Sequence, residues 1–332
     1  ATALGDAPPI LDPNWPAEEA LALFLGHQRH NLLVAEVGLF PAGGAIAINP
    51  NAAPWQPSAS QVEALHDYRV ALRRSRSALA QFRGVFKGHL RSSFGAAFQA
   101  LGWATGPARD LDVLLLVLDD YLQGSDLSPE GLDALNRDLQ TRRALAWGEV
   151  SRTLNTPAYG ETMASWRALL TDPPVKRGGR LAGRPIAKLA QRQAQRLYGR
   201  IFSEGKVLDQ NAPAEAFHEL RKRCKKLRYL LEFSRGLADA TALGAQVKAL
   251  KQLQGVLGHH QDLAVQGALL IRGADALSHR DRRAIQDLAA TVDERQQSTR
   301  RAFAAAFAQF KSPAPRERVE ALFAAGSAAL VS

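Results

Sequence analysis

The sequence is poor in cysteine, in long apolar runs and in acidic residues, and each shortage closes off a class of protein. Cys224 is the only cysteine in 332 residues, so an intrachain disulfide and a four-cysteine zinc site are excluded, and a reducing compartment is the simpler setting. The most hydrophobic stretch runs only from Val113 to Leu118, far short of the roughly 18 residues that a membrane-spanning helix needs. The first residues, ATALGDAPPI, carry no basic region followed by an apolar core. No signal peptide is read there, and a cytoplasmic protein with no membrane partner is expected. No Gly-x-x-x-x-Gly-Lys-Ser/Thr loop, Gly-x-Gly-x-x-Gly turn or Gly-x-Ser-x-Gly elbow occurs, which leaves nucleotide-cradling and serine-hydrolase readings without support.

What is present is basic charge on a helical pattern. Lys and Arg number 42 against 32 Asp and Glu, a formal net charge of +10, with a sequence pI near 10.0; this points to a polyanionic partner. Hydrophobic residues at 46% and charged residues at 22% are ordinary for a globular chain, and the length suits two domains or one duplicated unit. Apolar residues recur at three and four, with Pro and Gly clustered between the periodic stretches, and no strand pattern stands out. The spacing predicts helices over 17–39, 60–83, 89–104, 108–122, 129–155, 160–170, 185–203, 213–235, 240–257, 259–273, 279–311 and 316–330. A loop from Pro41 to Pro57 separates the first two. The Pro- and Gly-rich segment 171–185 reads as a linker between a first half, 16–170, and a second, 186–330.

The two halves resemble each other. His66-x-x-Arg69-x-x-x-Arg73-Arg74-x-Arg76 reappears, 152 residues on, as His218-x-x-Arg221-x-x-x-Lys225-Lys226-x-Arg228. The same offset carries Asp110-Leu111-x-Val113 onto Asp262-Leu263-x-Val265. A tandem duplication is expected, and two such all-helical bundles commonly pack about a pseudo-two-fold axis that brings equivalent helices face to face.

At about 100° per residue, His66, Arg69, Arg73 and Arg76 fall within an arc of about 80°. His218, Arg221, Lys225 and Arg228 do the same, beside a core face of Leu220, Cys224, Leu227 and Leu231. Residues 66–91 hold seven Lys or Arg and one acid, and residues 215–235 hold seven against three acids, so these two segments account for the excess charge of the whole chain. Like charges three and four residues apart disfavour a helix by some tenths of a kcal/mol per pair. A bound polyanion offsets that repulsion, and a stripe about 15 Å long suits several consecutive phosphates. Imidazoles at the head of each stripe would donate to phosphate oxygens, more so at lower pH.

These residues resemble the CHAD domain, the conserved histidine α-helical domain. Its two signatures read here as His66-Asp67-Tyr68-Arg69-Val70-Ala71-Leu72-Arg73-Arg74-Ser75-Arg76 and His218-Glu219-Leu220-Arg221-Lys222-Arg223-Cys224-Lys225-Lys226-Leu227-Arg228-Tyr229. Arg109-Asp110-Leu111-Asp112-Val113 and Leu257-Gly258-His259-His260-Gln261-Asp262 match two further elements. The resemblance covers nearly the whole chain. It implies an all-α fold of two helical bundles around a central basic channel that binds inorganic polyphosphate without chemistry, often at polyphosphate granules. It assigns binding to His66, Arg69, Arg73, Arg74 and Arg76 in the first half and to His218, Arg221, Lys222, Lys225, Lys226 and Arg228 in the second, with Arg109, Lys248 and Lys251 flanking. Gln261 stands where the first half has Arg109, so the channel is expected to be asymmetric there. No Glu-x-Glu-x-Lys strand of a fused triphosphate tunnel enzyme is present, so that activity is not implied.

Other readings draw on the same residues. A nucleic-acid backbone could engage the same cations, but aromatics are only 7%, and Tyr68, Phe82, Tyr229 and Phe233 sit at packing positions rather than as base-stacking platforms. A phosphate-transferring enzyme would need clustered acids within the basic stripes, and these hold almost none. His27-x-x-His30 and His259-His260 lack the spacing of a helical zinc site. Asp110, Asp112 and Asp262 are expected to cap helices or pair with Arg. No cofactor and no metal are expected.

Overall fold

Helices begin where the sequence supplies caps. Ser58 accepts from the backbone of Gln61 while the Gln61 side chain returns to the Ser58 N–H, a reciprocal cap. Ser128, Thr156, Asp239 and Ser278 accept from backbone N–H groups in the same way, each satisfying a donor that the first helical turn leaves orphaned. In this computed structural model, which describes residues 8–40, 46, 54–123, 125–209, 211–274 and 277–328, the order is α1 Ala17–Leu39, α2 Ala59–Gln81, α3 Gly88–Ala104, α4 Gly106–Leu122, α5 Pro129–Leu154, α6 Pro157–Thr171, α7 Pro174–Arg177, α8 Ile186–Gly205, α9 Ala214–Phe233, α10 Ala240–Gly273, α11 His279–Phe310 and α12 Pro315–Ala328. The architecture is all-α, with no strand among the described residues. The expected loop from Pro41 to Pro57 lies largely outside them.

Two expectations change. The helices predicted over 240–257 and 259–273 are one 34-residue helix, α10. At the equivalent place in the first half α3 ends and α4 begins, because Pro107 sits in the first turn of α4 and has no N–H to continue the ladder. His259 stands 152 residues beyond Pro107 and keeps its N–H, so α10 runs on through Gly258. The segment 171–185 is also more than a tether. It contains α7, and Arg177 is buried there, donating from Nε and Nη2 to the Glu18 carboxylate at 2.9 Å each and from Nη1 to the carbonyls of Leu169 and Leu170. Gly179 N–H donates to Val85 O at 2.7 Å, which lashes the segment to the turn after α2.

That turn occurs twice. Gly84 follows α2 with φ 93° and Gly236 follows α9 with φ 82°, again 152 residues apart. A Cβ on Gly236 would lie 2.5 Å from Leu11 O, so glycine is needed there for conformation and for space.

The core lies in two clusters, and both halves contribute to each. The larger joins Leu25, Leu65, Tyr68 and Trp166 to Leu197, Leu227, Leu253 and Phe303. The smaller joins Leu111, Leu114 and Leu118 of α4 to Leu263 and Leu270 of α10 and Ile285 of α11. Burial of these faces holds α2 and α9 against each other, and that contact builds the site.

Candidate polyanion-binding groove

The two basic helices pack side by side. Arg74 on α2 meets Glu232 on α9 at 2.9 Å, and Gln81 Nε2 donates to Lys226 O at 3.0 Å. The cationic stripes therefore face a shared space. A groove of about 620 Å³ between α2, α3 and α9 is lined by the cations Arg73, Arg76, Arg91, Lys222, Lys225 and Lys226. A second concavity of about 280 Å³ between α9 and α10 is lined by Arg221, Lys225, Arg228 and Lys251. The two share Lys225, and neither lining contains an Asp or Glu.

Crowding of like charge in partial burial tunes these groups. Lys225 is pushed down to about 7, first by burial and then by the charges of Arg221 and Arg73. Arg69 falls to about 10, by burial and then by Arg73. Burial also lowers Arg76 and Arg221. The Nε–H groups of Arg69, Arg73 and Arg221 have no acceptor among the described residues. Several cations are thus held close together with Nε–H donors unused, and the carboxylates that act on them, Asp262 at 3.5 Å from Arg221 Nη2 and Asp110 beside Arg69, stand outside both linings; a row of phosphate oxygens would satisfy the unused donors.

The sequence-assigned residues fall into distinct settings. Arg73, Arg76, Lys222, Lys225, Lys226, Arg221, Arg228 and Lys251 line the two concavities. Arg69 lines neither concavity and is anchored, donating from Nη1 to Gly102 O at 3.0 Å and to Thr105 Oγ1 at 2.7 Å across the α3–α4 break. His66 is half-buried, and its pKa is lowered by burial and then by the nearby charges of Arg109 and Arg73. His218 instead shares a short hydrogen bond with Gln261. The asymmetry read from Arg109 and Gln261 therefore has a physical form, one imidazole beside a cation and the other beside an amide. Arg74 is engaged by Glu232 rather than lining either concavity. Lys222 pairs with Glu219 at 2.6 Å on its groove-facing helix, and Lys248 is exposed on α10, outside both linings.

Sequence reasoning missed two residues as site members. Arg91, in the first turn of α3, lines the larger groove; its signal was the positive excess of residues 66–91. Glu232 had only its i,i+4 spacing from Arg228, at 3.4 Å, as a signal; its meeting with Arg74 comes from tertiary packing.

Asp262 stands at the site, 3.5 Å from Arg221 Nη2, and Asp110 acts on Arg69, whereas other candidates are occupied elsewhere. Asp112 is buried and accepts from Arg143 Nε at 2.7 Å and Trp147 Nε1 at 3.3 Å, the Arg pairing expected for it. His260 stacks on Phe217 and lies 3.3 Å from Arg300 Nε. His27 Nε2 meets Asn31 Nδ2 at 3.1 Å. Tyr68, Phe82 and Phe233 are at most 4% exposed, so they pack the core, while Tyr229 lies beneath the Arg228 guanidinium.

The fold and the site together define an all-helical domain that gathers cations of two helices into one groove. The CHAD domain profile matches residues 49–271, and the chain belongs to the CHAD domain family, a family associated with polyphosphate. The crystal structure of the CHAD domain from the plant Ricinus communis superimposes with a TM-score of 0.72 at 26% identity, over 95% of this chain and 99% of that one. PptA from Streptomyces chartreusis shares the fold, with a TM-score of 0.67 at 17% identity over 88% of this chain and 99% of that one. An uncharacterized protein of Mycobacterium tuberculosis strain H37Rv, Rv2226, is 28% identical over 232 residues, 66% of this chain and 42% of that protein. Its counterpart in strain CDC 1551, MT2285, is 27% identical over 231 residues. The aligned region thus spans less than half the length of these relatives. Among the described residues no helix is long and apolar enough to cross a membrane.

Proposed function

We propose that this chain binds inorganic polyphosphate, without chemistry, along the groove between α2 and α9, and that binding places it at polyphosphate granules. The observation that carries the reading is the meeting of two register-matched cationic stripes in concavities with no acidic lining residue. Arg groups would grip phosphate oxygens in bidentate fashion and Lys groups would act as point charges. The repeated motif and the repeated glycine turn support two tandem copies, 16–170 and 186–330, as the source of the paired stripes.

The test is a competition titration at two salt concentrations, with labelled long-chain polyphosphate displaced by unlabelled polyphosphate or by DNA and RNA matched in phosphate count. Phosphate contacts release counterions, so salt must be varied. Polyphosphate winning at both salts is expected. Equal displacement by nucleic acid would make the groove a general binder of polyanion backbones and overturn the reading.

A further inference from the structure

The offset of 152 residues relates the larger basic groove to a second groove with different chemistry. Its wall Ala80, Arg91, Ser92 and Gly95 corresponds to Glu232, Leu243, Gly244 and Val247. This second groove, of about 560 Å³, runs between the end of α9 and the start of α10 and has a predominantly apolar wall. Glu232 stands at its border. Its carboxylate accepts from Arg74 at 2.9 Å and lies 3.4 Å from Arg228 Nε. Arg228 also lines the small basic concavity with Arg221, Lys225 and Lys251. Along α10 the groove floor thus changes from Lys251 to Val247 and Leu243, and the change coincides with the carboxylate.

We infer that Glu232 ends the anion-binding track: a phosphate chain lies along Arg73, Arg76, Lys225 and Arg221 and stops at Arg228, because beyond it Arg74 already has a counter-ion and the wall, Arg235 apart, is predominantly apolar. A phosphate oxygen arriving there would displace a hydrogen-bonded carboxylate and meet its charge, which disfavours longer occupancy more than any missing contact does. Glu232 is thus a specificity residue, setting how many phosphates one protein covers. In the first half Ala80 leaves the corresponding border open.

This inference rests on the polyphosphate reading, and its test separates the two. Affinity is measured by titration against a ladder of polyphosphates of defined length, at several salt concentrations, for the unaltered chain, Glu232→Gln and Ala80→Glu. The unaltered chain should gain affinity with length up to a plateau. Glu232→Gln releases Arg74 as one further phosphate contact beyond Arg228, so its plateau should move to longer chains and its salt slope should steepen by about 0.7, the value for one added phosphate contact on a single strand. Ala80→Glu, at an exposed groove position, should shorten the plateau and flatten the slope, and it carries the test alone if the loss of the Arg74 pair impairs folding of the other variant. Unchanged plateau and slope in folded variants that still bind polyphosphate would overturn the role of Glu232 while leaving the binding reading intact. Failure of the unaltered chain to bind any member of the ladder would overturn the binding reading itself.

Discussion

The α2 and α9 stripes carry nearly the same residues in the same register, yet they live in different surroundings. On α2, Arg69 is tied to the α3–α4 break through Gly102 and Thr105. Its equivalent Arg221 faces the unbroken α10 and reaches only Asp262, at 3.5 Å. A single proline, Pro107, accounts for much of this: the break turns Thr105 Oγ1 and a helix-end carbonyl toward Arg69, whereas the continuous α10 keeps its carbonyls within the helix. The lesson is that a repeated charge pattern specifies which residues can meet a polyanion, while the partner helices decide which cations are free to do so.

The comparison breaks most completely if both stripes are reversed at once. Arg73→Glu with Lys225→Glu should weaken polyphosphate binding by at least about a hundredfold, since each change replaces an attraction at a partly desolvated site by repulsion. Helicity by circular dichroism should be unchanged, because neither side chain belongs to the core; unaltered affinity would remove the groove assignment. Imposing the first-half break on the second half is the structural counterpart. His259→Pro deletes a backbone hydrogen bond inside α10 and should cost about 3 kcal/mol, read by chemical denaturation.

Two smaller effects follow from Lys225. With its pKa near 7 in the free protein, binding of phosphate should raise that value and take up a proton. Affinity should therefore be greatest below pH 7 and decline toward pH 9, by up to about tenfold for each unit by which binding raises the pKa. Lys225→Arg should flatten the profile, and calorimetry in buffers of different ionisation enthalpy reads the proton directly. The stability of the free protein runs the opposite way. A lysine whose folded pKa lies below its unfolded value makes the unfolded chain bind more protons between about pH 7 and 10.4, so stability rises over that window. Lys225→Met should accordingly raise the melting temperature at pH 7 by about 2–4 °C while weakening polyphosphate binding. The smallest effect distinguishes the histidines. Arg109→Gln should move the His66 titration, followed by NMR, upward toward its ordinary value, because Arg109 is the largest cause after burial.

Much of this was legible from local sequence because caps, periodicity and charge are local signals. The helices expected from 60, 129 and 279 begin in the structure at 59, 129 and 279, and the angular positions of Arg69, Arg73 and Arg76 already separate them from Arg74, which turns toward Glu232. The join at Gly258 was not legible. A glycine in a helix costs about 1 kcal/mol, but the buried Leu253, Leu257 and Leu263 on either side hold α10 in place. Glu232 was only half legible: its i,i+4 spacing from Arg228 is local, but its other partner, Arg74, is 158 positions away, and no spacing rule encodes that meeting.

The mixed cores have a consequence in time. Leu118 packs in a cluster with Leu263, which lies 145 residues later in the chain. At synthesis rates of about 5–20 residues per second, the apolar face of α4 waits about 7–30 s before its cover has been made. During that interval the nascent first half carries its basic stripe and an uncovered leucine row together, the kind of exposed apolar surface that favours aggregation until its cover arrives.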